Sequence, residues 1–169
     1  MLFVTVDEKY GDKYIEHLLD QYKVYIASVE SVSDRRQKAN EFFLALNTGL
    51  IAVLGYVSAN INKNETLWLV VAAALAGMTM CFLWFRMILS YDGLNSGKFR
   101  VVHAIEERLP LALYDAEWET LGRGKDKKIY WPFTHIERAV PWIFIALYLF
   151  LLVATVQWPI AITVVLRKP

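Results

Sequence analysis

The residues best suited to chemistry in this chain are His103 and Glu106, which stand one helical turn apart. A histidine and a carboxylate at this spacing can share one helix face and there hold a metal ion or move a proton. The other histidines, His17 and His135, lie on different predicted helices, and no two histidines have the helical spacing of a zinc site. Because two ligands fall short of a metal site, we predict no metal, no cofactor and no catalytic residue.

Other sequence signatures of enzymes and of nucleic-acid binding are missing. Gly122 to Lys125 is glycine-rich but lacks the strand and the spacing of a phosphate-binding loop, and no serine elbow or carboxylate pair occurs. The single cysteine, Cys81, lies in an apolar run and can form neither a disulfide framework nor a cysteine zinc site within one chain. With 18 basic and 17 acidic residues the chain has no basic excess for nucleic acid. We therefore predict a protein that is not an enzyme.

Three long apolar runs dominate the 169 residues, at 42–60, 67–89 and 140–166. A helix rises about 1.5 Å per residue, so about 20 apolar residues cross the ~30 Å hydrocarbon layer. The sequence predicts an all-α integral membrane protein with three transmembrane helices. An N-terminal cytoplasmic amphipathic helix precedes them, and a small helical cytoplasmic segment lies between transmembrane helices 2 and 3.

The distribution of basic residues predicts the orientation of these spans. Six basic residues precede Phe42, one lies in the tip at 61–66, and nine lie from Arg86 to Arg138. By the positive-inside rule, segments 1–41 and 90–139 are cytoplasmic, whereas the tip and residues 167–169 are external. The first residues lack the pattern of a cleaved signal peptide. We expect a multi-pass membrane protein with a cytoplasmic N-terminus and an external C-terminus.

The polar parts of the chain carry several helix boundary signals. Asp12 is a predicted N-cap for an amphipathic helix of mixed charge, which we expect to pack on other protein, including a second copy. Pro110 is predicted to end a short helix that starts near Phe99, and Asp115 to cap the next helix, which stops at Gly122. Thr134 to Glu137 has the form of a capping box opening the last helix.

Small residues recur on one face of the first two apolar runs. Their spacing is typical of membrane helices that approach another helix closely, and a polar side chain within such a run usually faces other helices. The predicted helix-packing and oligomer residues are Ala45, Asn47, Gly49, Ala52, Gly55, Ala73 and Gly77.

Charged and aromatic residues mark the predicted membrane surface. Arg86 either snorkels to the headgroups or pairs with Glu41 or Glu137, and both alternatives remain open. Basic residues beside aromatic ones form an expected anchor to membrane lipid. The interface charges are Glu41, Arg86 and Glu137, and the lipid-anchor candidates are Lys125, Lys127, Lys128, Tyr130 and Trp131.

Several segments together resemble a known family. They read YIASVESVSDRRQKANEFFLALNTGLIAVL from Tyr25, KFRVVHAIEERLP from Lys98, EWETLG from Glu117 and YWPFTHIERAVPWIF from Tyr130. The chain is similar in these segments to the RipA-type small integral membrane proteins of bacteria, a family of octameric membrane proteins. The resemblance implies a homo-octamer in the cytoplasmic membrane, with a role in stress or host adaptation, and it brings no molecular activity.

Two function hypotheses follow. The first is a ring-like homo-oligomeric scaffold of the inner membrane. The second is a regulated pore-forming effector of a bacterial defence system, because a cytoplasmic helix before a transmembrane hairpin also resembles SLATT-type effectors. A pore requires Asn47, Thr48 or Gln157 to line water, whereas a scaffold uses them for hydrogen bonds between helices. A membrane enzyme built on His103 and Glu106 would instead require bound metal.

Overall fold

The computed structural model describes residues 7–60, 63–125 and 128–166, with side chains from 9–60, 67–125 and 128–155. Within these ranges the chain is all helical, without a strand. The helices are α1 (Asp7–Tyr10), α2 (Tyr14–Asn60), α3 (Lys63–Glu106), α4 (Leu113–Thr120) and α5 (Phe133–Leu166), and Gly122–Gly124 forms a 3-10 turn. The described parts of α2, α3 and α5 are each long and apolar enough to cross a membrane. The predicted all-α fold with three transmembrane helices is confirmed.

Two of the helices are much longer than a membrane requires. Helix α2 has 47 residues and α3 has 44, so each continues from an apolar run into a polar segment without a break. The short helix predicted from Phe99 to Leu109 was wrong in both limits, because these residues continue α3 as far as Glu106. No proline interrupts α3 before Pro110, and a helix already formed extends at little cost in free energy.

Three predicted N-caps differ from the structure. Helix α2 begins at Tyr14, whose amide donates to the Gly11 carbonyl oxygen, so Asp12 precedes the cap position. Helix α4 begins at Leu113, which places Asp115 inside its first turn. Helix α5 begins at Phe133, so Thr134 is already helical and does not open a capping box. Gly122 follows the end of α4 with φ +64°, as expected of a helix stop.

The chain divides into two compact units. The polar unit comprises residues 1–37 and 89–135, and the apolar unit comprises residues 38–88 and 136–169. Buried apolar side chains of the polar unit are Leu18, Val29, Val32, Val102 and Ile105. The core of the apolar unit, drawn from all three long helices, consists of Leu54, Val70, Ala74, Cys81 and Tyr148.

Candidate functional site

Asn47 joins the three helices of the apolar unit. Its side chain is fully buried, and its Oδ1 accepts hydrogen bonds from the Tyr148 hydroxyl at 3.0 Å and from Cys81 Sγ at 3.2 Å. Its Nδ2 donates to the carbonyl oxygen of Phe43 at 2.8 Å. A buried amide without partners is costly, and each such bond between membrane helices contributes about 1 kcal/mol. Asn47 thus fixes the register of α2 against α3 and α5.

A second polar layer lies two turns along α2. Asn40 Oδ1 accepts a hydrogen bond from Trp84 Nε1 at 2.8 Å, and Asn40 Nδ2 donates to Glu137 Oε1 at 2.9 Å. Again one side chain comes from each of the three long helices. The Trp84 ring also stacks on Phe43, with centroids 5.7 Å apart and planes 9° apart. The two layers are seven residues apart on α2, so Asn40 and Asn47 occupy the same face.

Gly77 allows α3 and α5 to pack closely in the apolar unit. It is buried, and a Cβ placed on it would overlap the ring of Tyr148. The ring is itself fully buried and bonded to Asn47, so it has little room to move. Ala73, one turn earlier on α3, also packs against the core. Of the predicted packing residues, Asn47, Ala73 and Gly77 therefore make contacts within one chain.

The remaining small residues of α2 are exposed, on sides of that helix that do not face the core. Asn47 and Leu54 face the core, whereas Gly49 and Gly55 have no atom within 4 Å of an added Cβ. The exposed small-residue face consists of Ala45, Gly49, Ala52 and Gly55. No residue within the described part of this chain covers it.

The residues proposed to line a pore have different surroundings. Asn47 is enclosed by its partners within the chain, whereas Thr48 is exposed beside the small-residue face. The side chain of Gln157 lies outside the described residues. A water path lined by α2 would therefore depend on Thr48.

The predicted interface charges also differ from one another. Glu137 is half-buried and accepts from Asn40, whereas Glu41 is exposed. Arg86 is exposed as well and, across the part of the chain that the structure describes, forms no ion pair with Glu41 or Glu137. Its exposure favours the snorkelling alternative.

The polar unit contains a cavity of about 670 Å³. Side chains from α2, α3, α4, the segment between α4 and α5 and the start of α5 line it, and they combine aromatic rings with charged and hydroxyl groups. The lining residues are Arg36, Asp92, Asn95, Ser96, Phe99, Arg100, His103, Tyr114, Glu117, Trp118, Leu121, Tyr130, Pro132, Phe133 and Thr134. A mixed lining of this size suits a small molecule.

Glu106, at the end of α3, is 1% exposed, and its carboxylate accepts three hydrogen bonds. The Tyr22 hydroxyl donates to Oε1 at 2.9 Å, and the backbone amides of Tyr114 and Asp115 donate at 3.0 and 3.2 Å. These amides belong to the first turn of α4, so Glu106 supplies the cap that α4 lacks in its own sequence. Burial and the bond to Glu106 raise the pKa of the Tyr22 phenol, which keeps Tyr22 a donor.

We expect Glu106→Gln to destabilise the first turn of α4 by about 1–2 kcal/mol, because an amide cannot accept from all three donors in the same arrangement. Hydrogen exchange at the amides of Tyr114 and Asp115 measures this change directly. Glu107→Gln, at an exposed neighbouring position, is the control. Equal protection in both variants would mean that the carboxylate does not cap α4.

His103 and Glu106, on which the membrane-enzyme hypothesis would depend, lie close in space but have other partners as well. His103 Nδ1 lies 3.7 Å from Glu106 Oε2 and 3.9 Å from Asp115 Oδ1. Asp115 also contacts Arg123, at 3.4 Å, and both Glu106 oxygens accept hydrogen bonds. No group of three metal-ligating side chains suited to a metal ion occurs among the residues with described positions. The arrangement serves to hold α4 on α3.

The residues of the predicted lipid anchor do not share one surface, because some are exposed and one lines the cavity. Lys125, Lys128 and Trp131 are exposed, whereas Tyr130 lines the cavity and contacts the Trp118 ring edge-on at 6.2 Å. Lys127 lies outside the described residues. Exposure leaves Lys125 and Trp131 accessible to lipid.

Sequence reasoning did not identify Asn40, Trp84 or Tyr148 as structural residues, and it placed Tyr22 on the apolar stripe of the N-terminal helix without identifying its partner Glu106. A signal was present for Asn40 and Asn47, because amides seven residues apart fall on one helix face. The partners of Tyr148 and Tyr22 had no comparable signal, since they lie 101 and 84 residues away in sequence.

Comparison with known proteins adds one positive finding. The family model described as the octameric membrane protein family (8xMP) matches residues 19–157. No curated protein matches the chain, and neither does any solved structure. The matched range covers most of α2, all of α3 and α4 and most of α5, so it includes both polar layers and the cavity. This chain belongs to the octameric membrane protein family.

Proposed function

We propose that this chain assembles into a homo-octameric ring in the bacterial inner membrane and acts there as a non-enzymatic scaffold, in stress or host adaptation. Membership of a family of octameric membrane proteins supports the stoichiometry. The excess of basic residues in segments 1–41 and 90–139 supports a cytoplasmic N-terminus and an external C-terminus.

The observation that carries this proposal is the exposed small-residue face. The polar side chains of α2 that need partners find them inside the chain, at Asn40 and Asn47. The exposed side of α2 offers Ala45, Gly49 and Ala52, where a helix backbone could approach closely. In lipid, such close approach is the main source of helix association, because apolar burial drives it only weakly. The face fits a helix of a neighbouring copy.

Helix α2 offers a further contact surface in the polar unit. Ile15, Leu19 and Val24 are exposed apolar side chains there, and acidic and basic residues stand among them. A surface of this kind suits another protein surface better than anionic lipid. Self-association along both parts of α2 would give a neighbour a long contact.

We expect the particle purified in nanodiscs to have the mass of eight chains by native mass spectrometry. Class averages viewed along the membrane normal should show a closed ring with eightfold symmetry. A monomer or dimer that remains folded at micromolar concentration would contradict the proposal. The same preparation shows whether lipid or water fills the centre of the ring.

A further inference from the structure

We propose that the cavity of the polar unit binds a phosphate ester, with the phosphate group at Arg100 and the rest of the molecule against the aromatic wall. The proposal does not depend on the number of chains in the ring, because every lining residue comes from the same unit of one chain.

Arg100 is the group best placed to hold the phosphate. Its Nε donates to the carbonyl oxygen of Ser96 at 3.4 Å, and no carboxylate within the described ranges forms an ion pair with it. The terminal amino groups of a guanidinium match two phosphate oxygens, and hydrogen bonds between charged groups are about twice as strong as neutral ones. Arg100 therefore presents a free cation to the cavity.

Further donors surround the same cavity. Arg36 enters from α2, and its Nη2 donates to Thr134 Oγ1 at 3.1 Å, which fixes the guanidinium on the lining. Ser96 and Thr134 add hydroxyl groups. A phosphate ester has two or three non-bridging oxygens, and the Arg100 guanidinium and the Ser96 hydroxyl on the same lining are donors that can bond to them.

Aromatic rings form the other wall. Phe99 contacts Tyr114 with centroids 5.8 Å apart, and Trp118 contacts Tyr130. The turn at Gly124 packs beneath Trp118, because a Cβ there would lie 3.0 Å from the indole. Trp118 is thus held from one side and is still 36% exposed, which leaves surface for a ligand ring or a glycerol backbone.

Two acidic residues restrict the ligand further. Asp92 and Glu117 also line the cavity, so a bare polyanion would meet two carboxylates as well as two guanidinium groups. In an ester that carries hydroxyl or amino groups beside its phosphate, those groups can donate to the carboxylates while the phosphate accepts from the guanidinium groups. We therefore expect a phosphate ester to bind more tightly than inorganic phosphate.

This chemistry has two sources, a phospholipid headgroup and a soluble ester such as a nucleotide. In sequence, Arg36 and Thr134 stand six residues before the predicted spans at 42–60 and 140–166, within reach of a headgroup layer. The aromatic wall suits a flat base, because stacking on an aromatic side chain contributes to the binding of any base. The experiment separates these sources.

The full chain in detergent is titrated with AMP and with inorganic phosphate by calorimetry, and phospholipid that survives delipidation is identified by native mass spectrometry. We expect AMP binding at one site per chain, or one retained phospholipid per chain. Arg100→Gln should weaken the AMP complex at least tenfold, or release the lipid. Trp118→Leu should weaken AMP binding about fivefold or more.

Arg35→Gln is the matched control, because Arg35 is exposed, donates to Ser31 at 3.1 Å and does not line the cavity. AMP binding lost in Arg100→Gln alone identifies a soluble ester, and retained lipid lost in that variant alone identifies a headgroup. If neither probe binds, or if Arg100→Gln and Arg35→Gln bind equally, the proposal is overturned. Retention of the parent's mass and helix content in each variant ensures that binding is compared between folded particles.

Discussion

Gly77→Leu is expected to disrupt the packing of α2, α3 and α5 in the apolar unit. Even a Cβ at this position would overlap the Tyr148 ring, and a leucine adds three more carbon atoms. The ring cannot turn away without giving up its bond to the buried Asn47. Overpacking a core costs about 1–3 kcal/mol or more, and the lost hydrogen bond adds about 1 kcal/mol. We expect a loss of about 3 kcal/mol in the free energy of unfolding.

Unfolding in SDS, followed by tryptophan fluorescence, measures this loss. Gly93→Leu on the same helix is the control, because an added Cβ there meets no atom within 4 Å. Both variants carry the same change in helix propensity, so their difference isolates the contact with Tyr148. Equal midpoints for Gly77→Leu and Gly93→Leu would show that α5 does not pack on Gly77.

Gly49→Leu is expected to leave each chain folded but to break the octamer. Gly49 lies in the middle of the small-residue face and has no atom of its own chain within 4 Å of an added Cβ. A leucine there would keep a neighbouring helix from approaching closely, and that approach is what stabilises association in lipid. Native mass spectrometry should show particles of fewer than eight chains at concentrations where the parent is octameric.

Val53→Leu is the control for this variant, since Val53 is exposed on α2 beside the small-residue face and already carries a bulky side chain. The SDS unfolding midpoint of a single chain should be unchanged in both. An octamer that persists in Gly49→Leu would exclude this face as the contact between copies. Together, Gly49→Leu and Gly77→Leu separate packing between chains from packing within one chain.

The sequence alone determined the class of this protein and the number of its spans. The free energy of transferring about 20 apolar residues into lipid is a sum over those residues alone. The three apolar runs therefore predict three membrane helices without knowledge of what each helix packs against. The quoted segments also indicated the family, which the match over residues 19–157 confirms.

The first residue of each helix was harder to predict from the sequence, as Asp115 and Thr134 illustrate. Both have side chains that commonly cap a helix, but in the structure Glu106, at the end of the preceding helix, supplies the acceptors for α4. Thr134 accepts from Arg36 instead of capping α5. Capping rules consider only the residues at the helix start itself, so a cap supplied from the end of the preceding helix is not predicted by them.

Only the tertiary structure decided which small residues pack within the chain. Gly49 and Gly77 have equivalent signals in sequence, since each lies four residues after an alanine in an apolar run. Their different surroundings depend on how each helix is rotated about its axis, and that rotation is set by partners such as Tyr148, far away in sequence. The cavity likewise exists only because α2, α3, α4 and the start of α5 meet. The local apolar pattern determines which segments enter the membrane. Contacts between residues far apart in sequence determine which residues each face of a helix packs against.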